Sequence, residues 1–177
     1  MLVPTHPEST GDPRTLRWVI PDGQLRVMGR VTRAPALFQE LLDTGVLEEA
    51  VASPSAVETT LGAGRSWREE GQRVRAALMD ALALPQRWQV DNGGGELLDD
   101  DAVLALAARD VAEVRLGKLL SSHGGRFDVV GVHEGVVDVR LAGECAECTA
   151  AVITMKARFQ HLVAARCPWS REVRRVG

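Results

Sequence analysis

Tyrosine is absent from this chain, aromatic residues make up only 4% of it, and there are three cysteines. With so few flat rings and no Tyr, the chain lacks the stacking platforms on which single-stranded nucleic acids are usually held. The net charge of -3 argues the same way. Three cysteines, an odd number, without a secretory signal argue against a disulfide framework and for thiols kept reduced. Apolar runs all fall short of the roughly 20 residues that span a bilayer. Met1 to Pro13 shows neither a signal-peptide core nor an Arg-rich transit pattern, so the expected location is cytoplasmic and no membrane partner is expected.

What is present is an ordinary globular composition, 45% hydrophobic and 25% charged in 177 residues, enough for one domain or two small ones. Residues 1–13 are rich in Pro, Thr and Ser without an apolar period and read as a loose leader. Leu16 to Ile20 reads as a strand. Pro35 opens a helix carrying Leu37, Phe38, Leu41 and Leu42, closed by Gly45. Val46 to Val51 and Ala56 to Leu61 flank the turn signal Ser53-Pro54-Ser55 and read as two strands. Ser66 and Glu69 have capping-box spacing before a helix lined by Val74, Leu78 and Leu82. Residues 14–84 thus form a first α/β unit, and the Gly-rich and acidic stretch 85–101 reads as a linker.

The second unit, 102–177, reads αββαβ, for an α+β protein built of two small α/β units. Ala102 to Ser122 favours a helix whose apolar residues settle on no single stripe, and Gly124-Gly125 ends it. Phe127 to His133 and Val136 to Ala142, joined at Glu134-Gly135, give the best hairpin signal. In the second strand Val137, Val139 and Leu141 alternate with Asp138 and Arg140, as in a sheet buried on one face. Val152, Met155, Phe159 and Leu162 make a helical stripe that Pro168 stops, and Arg171 to Val176 reads as a last strand. The basic residues between Lys156 and Arg175 face only Glu172 in sequence and read as a solvated face. Trp18, Trp67, Trp88 and Trp169 read as core or interface fillers.

Chemistry concentrates at Cys145 and Cys148, two thiols separated by Ala146 and Glu147 and set between the second hairpin strand and the last helix. A helix N-terminus favours thiolates, the form that binds iron or zinc. A four-iron cluster in a simple carrier needs about four thiolates. The only other cysteine, Cys167, lies beyond a helix rising about 1.5 Å per residue, which puts it on the order of 27 Å away. His161 fails for the same reason, and His123 reads as a surface or capping histidine. The economical completion is a symmetric dimer in which Cys145 and Cys148 of each copy share one cluster. Such an exposed, divisible site suits delivery rather than catalysis. Small residues there (Gly143, Ala146, Thr149) leave room for the cargo, while Glu144 and Glu147 disfavour thiolate in the empty form or are merely solvated.

Two rivals use the same residues. A thiol-disulfide oxidoreductase also places Cys-x-x-Cys at a strand-to-helix turn, but a βαβ unit does not precede these cysteines and no aromatic flanks Cys145. A structural zinc site wants two more ligands at short spacing in the same chain. Gly62-Ala-Gly64-Arg65 lacks the Lys-Ser/Thr ending of a phosphate loop and reads as a plain turn.

Ser122-His-Gly-Gly125, Val137 to Leu141, Gly143-Glu-Cys-Ala-Glu-Cys148 and Val152-Ile-Thr-Met-Lys156 resemble the NifU C-terminal (Nfu-type) iron-sulfur carrier domain, from about Leu116 onward. Segment 14–84, through Leu16 to Ile20, Pro35 to Phe38 and the helix after Ser66, looks like the N-terminal (Nfu-N-like) domain of many members, on less specific motifs. The resemblance implies no enzyme activity. It implies a 4Fe-4S cluster bridging a homodimer through Cys145 and Cys148, received from cluster-assembly proteins and passed to apo iron-sulfur clients. Many relatives carry Pro after the second cysteine and Asp after Gly-Gly. Here those positions hold Thr149 and Arg126, departures that bear on cluster stability and partner choice rather than on the ligand role.

Overall fold

Ser53 closes a tight turn on Ala56: its amide donates to the Ala56 carbonyl at 2.8 Å, and its Oγ accepts from the Ala56 amide at 3.1 Å. That turn joins β4 (Leu47–Ala52) to β5 (Ala56–Leu61), as Ser-Pro-Ser between two apolar runs predicts. The computed structural model describes residues 3–91, 97–116, 125–143 and 149–176, apart from the side chains of 125 and 149–152. The chain divides into two compact units, Met1–Leu97 and Leu98–Gly177.

In the first unit β1 (His6–Ser9), β2 (Thr15–Val19), β3 (Gly29–Arg33), β4, β5 and β6 (Gln89–Val90) form one six-stranded antiparallel sheet in the order β1-β2-β5-β4-β3-β6. α1 (Ala36–Asp43) and α2 (Trp67–Leu82) bury Phe38, Leu41, Val74, Leu78 and Leu82 in one core with Trp18, Leu47, Val57 and Leu61. The one buried polar residue among those described, Thr59, accepts from the Trp18 indole N–H at 2.8 Å. Away from this core, Glu8, Arg17, Glu58, Val51 and Arg30 are successive Cα partners across five strands. Such alternating charge favours a solvated face.

Three expectations for this unit change. Residues 1–13 are not a loose leader throughout: His6–Ser9 is a strand, and Val3 is buried. Residues 85–101 are not a plain linker. Pro85–Arg87 forms a 3₁₀ turn, Trp88 is buried with its N–H on the Ala81 carbonyl, and β6 pairs with β3. Finally, Ser66 caps α2 without bonding a backbone amide, its Oγ donating instead to the Glu69 carboxylate at 2.9 Å. Gly62-Ala-Gly64 is a packed turn: a Cβ on Gly62 would stand 2.2 Å from the Gly45 carbonyl oxygen.

The second unit places α3 (Asp100–Asp110) and α4 (Thr149–Arg166) with a three-stranded sheet of β7 (Gly125–His133), β8 (Val136–Gly143) and β9 (Glu172–Arg175), in the order β7-β8-β9. The order αββαβ is as expected, with helix and strand bounds slightly moved. Asp99 caps α3 by accepting from the Ala102 amide at 2.7 Å, so the acidic run opens a helix instead of lying in a linker. α3 passes into a π-helical segment, Val111–Leu116, which explains why its apolar residues follow no single α-helical stripe. Leu104, Ala107, Ala108 and Val111 keep α spacing, and the wider turn then brings in Leu116 where Arg115 would otherwise face the core.

Glu134 (φ 50°) and Gly135 (φ 76°) make the β7–β8 turn with two left-handed residues, the two-residue turn that matches strand twist. A register shift between Val129 and Gly131 leaves Val130 exposed as a bulge. β8 pairs parallel with β9 through the α4 crossover.

Candidate functional site

Residues 144–148, Glu-Cys-Ala-Glu-Cys, connect β8 to α4, so Cys145 and Cys148 themselves lie outside the described residues, as do Glu144, Glu147 and His123. The elements on both sides are described, and one core holds both. On β8, Val137, Val139 and Leu141 are buried; on α4, Met155, Phe159 and Val163 are buried. Phe159 meets Phe127 of β7 with ring centroids 4.6 Å apart. Leu162 packs at the margin of this core, while the side chain of Val152 is not described. The last residue of β8, Gly143, has φ 76°, a left-handed conformation in which glycine carries no Cβ penalty. Its Cα partner on β7 is Gly125. Backbone at that end of the hairpin is therefore shielded by no side chain from the pair itself.

Beyond α4, whose 18 residues rise about 27 Å, Cys167 is fully buried in the core of the second unit. His161 is exposed along the same helix. No group of three or more His, Cys, Asp or Glu suited to a metal ion occurs among the described residues. Neither Asp nor Glu occurs anywhere in α4, which carries Lys156, Arg158 and Arg166. An anionic group at the start of that helix thus meets the positive end of the dipole with no acid along the helix to oppose it.

The opposite end of the hairpin is fixed by charge. The Asp101 carboxylate accepts from the amides of Glu134 at 2.6 Å and Gly135 at 2.8 Å. Asp138 on β8 takes two bonds from the Arg174 guanidinium on β9, at 2.8 and 3.0 Å. Hydrogen bonding from Arg174 holds the Asp138 carboxyl below its ordinary pKa, against the opposing effect of desolvation. Arg174 also contacts His133 Nε2 at 3.1 Å. Much of the basic C-terminal segment is thus paired, since Arg166 likewise bonds Asp110. Trp169 donates to the Asp100 carbonyl at 3.1 Å.

Sequence reasoning found the thiol pair but passed over two neighbours: the left-handed backbone of Gly143, and Ile153, whose side chain is 62% exposed on α4. The glycine two residues before the Cys-x-x-Cys signalled the first. Nothing in the apolar pattern separated Ile153 from its buried neighbours.

No helix among the described residues is long and apolar enough to cross a membrane. Residues 111–174 match the family model of the NifU-like domain. The chain is also similar to proteins named "NFU1 iron-sulfur cluster scaffold homolog, mitochondrial". Those of Drosophila erecta and Drosophila yakuba are 26% identical over 116 residues, and that of Drosophila ananassae 25% over the same length. Each alignment covers 64% of this chain and 41% of the relative. The chain therefore spans less than half the length of these curated relatives.

Proposed function

Because its residues 111–174 are a NifU-like domain and the chain belongs to the Nfu-type family, we propose that this protein is an iron-sulfur cluster scaffold and carrier, not an enzyme. The cargo is a 4Fe-4S cluster held between two copies, each giving Cys145 and Cys148. It is received from cluster-assembly proteins and handed to apo iron-sulfur clients. One observation carries this reading. Each chain offers two thiols in the five-residue connection between β8 and α4, while its third, Cys167, is buried past the far end of an 18-residue helix. Four thiolates at one cluster then require two chains.

Divided ligation supports transfer over catalysis, since thiolates of an acceptor replace those of the carrier one at a time. The first unit, with its own core and its charge-paired outer sheet face, is assigned by this proposal to choosing assembly factors or clients. A cytoplasmic location belongs to the proposal too; the relatives' names say mitochondrial of those proteins.

Replacing Cys145 or Cys148 by Ser and reconstituting without oxygen tests the ligand assignment. Each change is expected to abolish cluster retention, seen as loss of the brown colour and of absorption near roughly 400 nm. A colourless wild-type protein that cycles thiol and disulfide as a monomer supports the oxidoreductase instead. Removing the first unit is expected to leave cluster binding intact and to impair delivery to particular acceptors, whereas undiminished delivery rules out the selecting role.

A further inference from the structure

The inner side of α4 is closed by Met155, Phe159 and Val163. Its outer side is unusual for a surface helix. Ile153, Ala157, Gln160 and Ala164 recur at spacings of four, three and four, all exposed, and none of them is charged. A solvated helix face normally carries the charged residues. On this helix the charges of Lys156, Arg158 and Arg166 sit off that line. Among the described side chains the line begins at Ile153, which at 62% has the greatest exposure of the large apolar ones. Isolated exposed apolar residues are common and need no explanation. An uncharged line that starts beside half a coordination site does.

Ile153 stands four residues after Thr149, the first residue of α4, so it lies about 6 Å along the helix axis from the end that adjoins Cys148. A body bringing two more thiolates to this end approaches the first turns of α4, and Ile153 is the large apolar side chain described as exposed there. We infer that Ile153, with Ala157 one turn on, is the contact through which a second copy of this chain docks as the shared cluster forms, an inference that rests on the carrier reading above. Geometry narrows the arrangement. Two α4 helices packed antiparallel over their whole length would put their thiol pairs on the order of 27 Å apart, too far for one cluster. The two-fold axis must run close to both helix starts, and there Ile153 is the first large exposed apolar side chain among those described, with Ala157 exposed one turn on. An uncharged contact also avoids setting like charges against each other across the axis, as a symmetric pairing of Lys or Arg would.

The test uses the full chain with Ile153→Asp and Ile153→Lys, both at an exposed position that leaves the core untouched. Melting of the empty proteins should match wild type. After anaerobic loading, dimer dissociation is followed by light scattering on dilution, with iron measured on the same samples. Both variants are expected to weaken the loaded dimer by at least about tenfold. If only the Asp variant weakens it, repulsion of the anionic cluster is the cause and the inference fails. It fails equally if both variants form wild-type dimers, and also if they form such dimers but deliver cluster more slowly, because the occupant is then the acceptor. In each of those three cases the dimeric carrier reading survives. A wild-type protein that loads a complete cluster without ever dimerising overturns both.

Discussion

Gly143 and Gly125 stand opposite each other as Cα partners at the end of the β7–β8 hairpin that leads into Cys145, and Gly143 is held at φ 76°. A side chain at that φ costs roughly 1–2 kcal/mol. Gly143→Ala is therefore expected to lower stability by about that amount in urea denaturation. It should also speed loss of cluster on dilution, since the strain sits one residue before the Glu-Cys-Ala-Glu-Cys connection. Equal stability with unchanged retention would show that the left-handed conformation does not matter to the site.

At the other end of the hairpin, Asp101 bonds the amides of both turn residues. Asp101→Ala removes two charge-assisted bonds and is expected to cost about 1–3 kcal/mol, read as a lower melting temperature. Asn keeps one acceptor oxygen, so Asp101→Asn should fall between Ala and wild type.

Arg174 depresses the pKa of Asp138 in the folded state, which fixes the sign of a pH effect. The contribution is fully present above the unfolded carboxylate pKa, about 4, and disappears as pH falls through the lower folded value. The stability difference between wild type and Asp138→Asn should accordingly be largest near neutrality and shrink below about pH 4. A difference that grows in acid contradicts the pairing.

Cys167 is buried with Phe159 and Val163 in the core of the second unit. Replacing it by Ser puts a hydroxyl in an apolar site, for an expected loss of about 1–3 kcal/mol in thermal or urea unfolding. Cluster content per folded protein should not change. Loss of cluster from a well-folded Cys167→Ser variant would undo the argument that this thiol is out of reach.

Elements that bury alternate residues or carry strong turn chemistry were legible in the sequence. Val137, Val139 and Leu141 announce β8, Glu134-Gly135 announces its turn, and Ser53 to Ser55 announces the other hairpin. β1 was not legible, because all four of its side chains are exposed and it is defined by backbone pairing with β2. β3 buries only Val31, and β6 has two residues, so neither leaves a periodic trace. The π-helical segment shifted the apolar pattern after Val111, which blurred the face of α3. The candidate thiol pair, Cys145 and Cys148, could be proposed from sequence because Cys-x-x-Cys carries its chemistry locally. The exposure of Ile153 was not, since it depends on which side of α4 meets the sheet.

Iron, acid-labile sulfide and molecular mass determined together on one anaerobically reconstituted sample probe the shared-ligand claim most directly. The account predicts about four irons and four sulfides per pair of chains, with mass falling to that of a single chain when the cluster is removed. A single chain carrying a full cluster would contradict it, as would a stable pair of chains that holds no iron.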